Sequence, residues 1–142
     1  MANEIKWTTP ASQTTGIAAV AVVAGANYLG SEIDNGTNKD RFLTVDLTFA
    51  CSTNAPTVDK TIELYIIYDV AGENYEDGDA TPIDPKKSPV ATFAARAIQT
   101  AQQIVFDSIP IASFPFKLLL KSELDQSAAC TLLAYSHNEE VQ

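Results

Sequence analysis

The segment Arg41–Cys51, RFLTVDLTFAC, alternates apolar and polar side chains along its length. Successive side chains of a β-strand point to opposite faces, so a period of two predicts a strand with one face in a core. The apolar face holds Leu43, Val45, Leu47, Phe49 and Cys51, and the polar face holds Thr44, Asp46 and Thr48. This strand decides the fold class, because no segment has a comparably clear helical period.

Segments on both sides of this strand carry related signals. We place earlier strands at 17–23 and 27–33, followed by the turn-forming cluster GTNKD. The later run KTIELYIIYDV (60–70) alternates again, but its middle is apolar on both faces, which predicts a strand that is central or covered by a partner. Two short apolar runs, FKLLLKSEL and ACTLLAYSH, are joined by DQSA and predict a closing hairpin.

The segment 90–109, VATFAARAIQTAQQIVFDSI, is open to two interpretations. Its Ala, Arg and Gln residues favour a helix, whereas β-branched and aromatic residues at both ends favour strands with QTAQQ as a turn. We favour two strands. Several short strands separated by turn signals then predict an all-β fold, an antiparallel β-sandwich formed by residues 16–142. Residues 1–15 are polar, are broken by Pro10, and are interpreted as an extended N-terminal arm.

Composition restricts the classes of partner. The chain has 142 residues, enough for a single domain, and its 18 acidic against 9 basic residues give a net charge of -9. Phosphate affinity comes chiefly from Lys and Arg, so neither nucleic acid nor an anionic membrane is an expected partner. The apolar run 16–26 is too short to span a bilayer and lacks a basic flank, so we expect neither a signal peptide nor a membrane helix.

The acidic stretch 69–84 is the first candidate for chemistry. Its carboxylates do not follow the spacing of an EF-hand loop, and the DG pair at 77–78 is typical of a turn, so a solvated connection is the favoured interpretation. A weak calcium site stays as the alternative. The acidic residues of the stretch are Asp69, Glu73, Glu76, Asp77, Asp79 and Asp84.

Other reactive residues are few. His137 is the single histidine and lies near the C-terminus, where a surface position is expected and no triad geometry is indicated. Cys51 and Cys130 lie outside any CxxC spacing and are expected to be buried thiols, with a disulfide between them left open. The scattered glycines form no phosphate loop. We therefore predict no catalytic residue, no cofactor, no metal site and no small-molecule substrate.

Several motifs together carry a resemblance to a known family. They are SEIDNGTNKDRFLTVDLTF, IELYIIYDVAGENYEDG, FDSIPIASFPFKLLLKSEL and the terminal LLAYSHNEE. In this order they resemble small virion proteins of tailed bacteriophages, of the head-decoration or cement type, over most of the chain after Gly16. The motifs are loose: an IDN turn before a strand, a strand followed by a Y-x-DG turn, and an IP pair before the penultimate strand.

The resemblance implies a sandwich of jelly-roll type and a non-enzymatic structural protein. Such a protein is made in the host bacterial cytoplasm and then lies on the capsid exterior. Its partners would be the major capsid protein and copies of itself, as a homotrimer. The arm residues Ile5 and Trp7 are the candidate anchor, because aromatic residues often dominate interface energies; packing within the chain is the competing interpretation.

A second function class is kept beside this one. A tail- or fibre-associated module that binds a carbohydrate or a receptor would use the acidic loop and the aromatic rings of Tyr65, Tyr68 and Tyr75 as a stacking platform. That function requires these rings to face solvent in a groove.

Overall fold

The computed structural model describes residues 5–7, 14–70 and 84–141. These ranges contain no α-helix, and so no helix that could span a membrane. The strands are β1 (Ile5–Trp7), β2 (Thr14–Val22), β3 (Asn27–Ile33), β4 (Phe42–Cys51), β5 (Thr61–Tyr68), β6 (Ala91–Ala94), β7 (Gln102–Pro110), β8 (Phe116–Ser122), β9 (Ala128–His137) and β10 (Glu139–Val141).

Eight of these strands form two four-stranded antiparallel sheets packed against each other. The first sheet has the order β2-β9-β4-β7 and the second has the order β3-β8-β5-β6. Strand β2 pairs with β9, β3 with β8, β4 with β7 and β5 with β6, which is the nested pairing of one long hairpin wrapped around itself. This is the connectivity of an eight-stranded jelly roll. The predicted β-sandwich is therefore confirmed.

The core lies between the two sheets and follows from the alternation in β4. Leu43, Val45, Leu47 and Phe49 are fully buried, as the period of two predicts. The second sheet contributes side chains from β5, β6 and β8 to the same cluster, including Phe93. Burial of each large apolar side chain contributes roughly 1.5–3 kcal/mol, so this continuous layer is the main source of stability.

The predicted closing hairpin is wrong. Strands β8 and β9 are consecutive, but β8 lies between β3 and β5 in the second sheet, and β9 lies between β2 and β4 in the first. The link at 123–127 therefore crosses from one sheet to the other. In a jelly roll each strand pairs with a distant partner, and a short polar link between two apolar runs cannot reveal this.

The ambiguous segment forms two strands, β6 and β7, as we favoured. The turn lies earlier than the QTAQQ prediction, because β7 already begins at Gln102. The side chain of Gln102 closes this turn: its Oε1 accepts from the Arg96 N–H at 2.7 Å, and its Nε2 donates to the Arg96 carbonyl at 3.0 Å. Gln favours helices by intrinsic propensity, but the side chain of Gln102 instead stabilises the loop between β6 and β7.

Two glycines allow β2 and β3 to pass closely where the chain crosses between the sheets. A Cβ added to Gly30 would lie 2.1 Å from the carbonyl oxygen of Gly16, and one added to Gly16 would lie 2.8 Å from Leu118 Cδ1. Neither position has room for a side chain without movement of its neighbours.

Candidate functional site

The predicted arm contributes a strand to a separate two-stranded ribbon. Ile5 of β1 is paired with Val141 of β10, and Trp7 is paired with Glu139. The arm backbone at 5–7 is thus joined to the C-terminal segment of the same chain. The role of Ile5 and Trp7 as an anchor for a partner stays a prediction.

The acidic stretch is described only at its two ends. Asp69 is 7% exposed and its N–H donates to the Pro115 carbonyl at 2.9 Å, so this residue is not part of a solvated loop. Asp84 forms a 3.3 Å ion pair with Lys121. Glu73, Tyr75, Glu76, Asp77 and Asp79 lie outside the described residues, so calcium binding by this stretch stays a prediction.

Two of the three tyrosines proposed as a stacking platform are used within the protein. Tyr65 is 5% exposed, and its hydroxyl donates to Glu63 Oε2 at 2.6 Å. Burial is the main cause that raises the pKa of Tyr65 to about 12. Tyr68 packs edge-on against Phe116, and its hydroxyl accepts from the Ala112 N–H at 3.1 Å. Neither ring forms a solvent-facing platform.

His137 is buried, so the expected surface position is wrong. It lies at the end of β9, opposite Phe42 of β4, and its ring stacks on the Phe42 ring with centroids 5.9 Å apart. His137 Nε2 lies 3.1 Å from Thr44 Oγ1 and 3.8 Å from Asp107 Oδ1. Phe42 and Thr44 lie more than 90 positions before His137 in the sequence, so its position near the C-terminus could not indicate that the ring is buried.

The hydrogen bonds among Thr44, Asp107 and His137 have a definite direction. The Thr44 hydroxyl donates to Asp107 Oδ1, because a carboxylate can only accept, so His137 Nε2–H must donate to Thr44 Oγ1. A base that activates a nucleophile has to accept the hydroxyl proton instead. The bond from Thr44 is the main cause that lowers the pKa of Asp107. The cluster therefore stabilises a carboxylate and does not activate Thr44.

A neighbouring network fixes the loop between β3 and β4. Asn35 is 1% exposed; its Nδ2 donates to the carbonyls of Asp40 and Ala112, and its Oδ1 accepts from the Asp40 N–H. Asn138 continues the network, since it donates to Asp40 Oδ1 at 2.8 Å and accepts from the Arg41 N–H at 3.0 Å. The IDN motif thus has a structural role at this end of the sandwich.

Both cysteines are buried free thiols, as expected, and no disulfide joins them. Burial is the main cause that raises the pKa of Cys51, and it raises that of Cys130 to about 12. A thiol with a raised pKa and no access to solvent is a poor nucleophile and a poor metal ligand.

A cavity of about 250 Å³ lies between the edge strands β6 and β7. Two of its polar side chains are already engaged, since Gln102 holds the preceding turn through the Arg96 backbone and Gln103 donates to Asp46. No convergent set of polar groups remains for a ligand among its lining residues, which are Ala94, Arg96, Ile98, Ala101, Gln102, Gln103 and Ile104.

The outer face of the first sheet has an unusual composition for a chain of net charge -9. Lys and Arg are absent from its four strands, and Asp46 and Asp107 are their only acidic residues. The second sheet differs, since it carries both acids and lysines and its Lys121 forms ion pairs with Asp84 and Glu123. Side chains that share the outer face with Asp46 are Thr44, Thr48, Gln103, Val105, Thr131, Leu133 and Tyr135.

In the part of the chain that the structure describes, no three His, Cys, Asp or Glu side chains are grouped so that they could hold a metal ion.

A scan against protein-family models finds no match for the chain, and a search of curated proteins finds no similar sequence. The outer face of the first sheet is the candidate functional surface.

Proposed function

We propose that the protein is a non-enzymatic structural protein of a tailed-phage virion, which decorates the outer surface of the capsid shell and stabilises it. The proposal rests on the resemblance of its motifs to head-decoration proteins. The structural observation that carries it is the charge-poor outer face of the first sheet. On this proposal the protein is made in the host bacterial cytoplasm and joins the capsid exterior as a homotrimer.

The fold is compatible with this function but does not determine it. Jelly rolls occur in viral capsid domains and also in lectins, so the argument has to come from the surface. A sheet face with few charges in an otherwise acidic protein is typical of an interface, where charged residues are depleted in the buried centre. Broad contact with a shell requires such a face and no catalytic centre.

The polar clusters are consistent with a structural protein. The Thr44 proton is directed to Asp107 and away from His137, Asn35 binds the backbone of Asp40, and Asn138 accepts from the Arg41 N–H. These bonds tie strand ends and a loop to one another, which favours a rigid structure at this end of the sandwich. Rigidity favours a protein that clamps neighbouring subunits, since little conformational entropy is lost on binding.

The stabilising effect would follow from mass action. A protein that binds the assembled shell and not its dissociated subunits shifts the equilibrium towards assembly. At a concentration 100 times the dissociation constant, each occupied site contributes about 2.7 kcal/mol. Many sites on one shell would add to a large resistance against heat or chaotropic agents.

The test combines solution mass with shell binding. Light scattering gives the oligomeric state, and the same sample is then sedimented with undecorated heads assembled from the major capsid protein of the same genome. We expect a trimer that sediments with the heads and raises the temperature at which they lose integrity. Heads without the protein are the control. A monomer that ignores heads and is retained on immobilised glycans would replace this proposal with the carbohydrate-binding module.

A further inference from the structure

The outer face of the first sheet has a charged residue at its centre. Asp46 lies on the inner strand β4, directly opposite Val105 of β7 on one side and Leu133 of β9 on the other. We infer that this face docks on a partner protein that presents an Arg or Lys side chain to Asp46 within an apolar contact. The inference rests on the proposed function and names the surface and the chemistry of the shell contact.

The carboxylate of Asp46 is only half satisfied. Its Oδ2 accepts from Gln103 Nε2 at 2.7 Å, whereas its Oδ1 is shielded from solvent and has no hydrogen-bond partner. A shielded acceptor without a partner has a desolvation cost, so most proteins provide one. At this position no side chain of the sheet donates to Oδ1, and Lys and Arg are absent from all four strands.

The environment of Asp46 selects the occupant. An apolar partner surface would remove the remaining water from the carboxylate without replacing it, which is strongly unfavourable for an ionised group. A second copy whose two-fold axis passes through the centre of this face would place its own carboxylate against Asp46 and is disfavoured for the same reason. A cation from a different surface meets the requirement once the Asp46 side chain turns its shielded Oδ1 outward, and Arg meets it best because its planar group forms two bonds with a carboxylate.

The size of the face suits a protein partner. Four strands spaced about 4.8 Å apart and about 30 Å long give an area of roughly 550 Å². A standard specific interface buries about 800 Å² on each partner, so the face supplies most of that area and the adjoining loops can supply the remainder. Val105 is 56% exposed and offers an apolar contact next to the carboxylate.

Two substitutions on the face and one matched control form the test. Asp46→Asn keeps the size of the side chain and removes its charge, and Val105→Lys places a cation where the partner's cation is expected. Val58, which is 64% exposed in the loop between β4 and β5, provides the control Val58→Lys. Binding to undecorated heads of the same phage is measured by sedimentation, with thermal unfolding and light scattering on each purified variant.

We expect Asp46→Asn and Val105→Lys to weaken head binding about 30-fold or more, and Val58→Lys to leave it unchanged. Asp46→Asn should unfold at the wild-type temperature or above it, because the amide oxygen can keep the bond from Gln103 and the charge beside the unpartnered Oδ1 is removed. Weaker head binding together with an unchanged or higher unfolding temperature would show that the Asp46 charge serves binding and not the stability of the fold.

The other outcomes overturn the inference in different ways. If wild type and both face variants bind heads equally, the docking face is elsewhere while the proposed function stands. If wild type does not bind heads, the proposed function falls and this inference falls with it. A lowered unfolding temperature for Asp46→Asn would mean a structural role, and a changed oligomeric state with unchanged head binding would assign the face to contacts between copies.

Discussion

Replacement of Gly30 by Ala tests whether the crossing of β2 and β3 determines the fold. The added Cβ would lie 2.1 Å from the Gly16 carbonyl oxygen and 3.0 Å from Ile17 Cγ1. The nearest obstacle is backbone, so no side-chain rotation can relieve it. The two strands belong to opposite sheets, and their separation can increase only if the sheets move apart at this corner.

The expected cost follows from this distance. A carbon and an oxygen in ordinary contact lie more than 3 Å apart, so one strand must move by about 1 Å. Overpacking of a dense core costs typically 1–3 kcal/mol, and backbone displacement places this variant at or above the upper end. Ala also restricts the unfolded chain more than Gly does, and this offsets about 0.4–1 kcal/mol of the loss in stability. We expect a net loss of about 3 kcal/mol and a decrease of roughly 10 °C in the unfolding temperature.

Urea unfolding followed by far-UV circular dichroism measures this loss. Gly25→Ala is the control, because its φ is +71° and a Cβ there would meet nothing within 4 Å. That variant should lose only about 1 kcal/mol, from the left-handed backbone conformation. If Gly30→Ala unfolds within 0.5 kcal/mol of wild type, or loses less than Gly25→Ala, the close crossing is not a determinant of stability and the reasoning is refuted.

Three further predictions concern the polar groups. Asn35→Ala removes three hydrogen bonds of a buried side chain and should lower the free energy of unfolding by about 3 kcal/mol, measured by urea unfolding; a loss under 1 kcal/mol would contradict the role of the IDN motif. Cys51 and Cys130 should react with iodoacetamide at pH 8 on the order of 100-fold more slowly in the native protein than in guanidinium, and equal rates would show that the core opens readily. Replacing Asp77 and Asp79 by Asn should leave the unfolding temperature unchanged, and a large loss reversed by added calcium would favour the metal site.

Local patterns were sufficient to predict most strands. The bounds of β3 match the prediction, and the alternation in β4 identified its buried face, because both depend on neighbours along the chain. The choice of two strands for 90–109 was also decided locally, by β-branched residues at each end. Pairing was different: the hairpin between β8 and β9 was wrong because their partners in the sheets lie far away in sequence.

The candidate surface could not be predicted from the sequence, because it too depends on which distant strands pair. The sequence shows that four apolar strands lack Lys and Arg, but only the strand order shows that they share one sheet. In the sequence Asp46 is an ordinary residue of a polar strand face. Its position between Val105 and Leu133 depends on pairings with β7 and β9, and those pairings alone make its carboxylate unusual.

The edges of the sandwich indicate which kind of contact the protein can make. Strands β2, β3 and β7 are sheet edges, and each is interrupted by a register shift, while the fourth edge strand, β6, has 4 residues. The inner pairs β4 with β9 and β5 with β8 have none. Short or irregular edges prevent another strand from adding to a sheet. Strand addition is therefore disfavoured at all four edges of the sandwich, which favours association through its faces and loops, and the first sheet offers the face with the fewest charges.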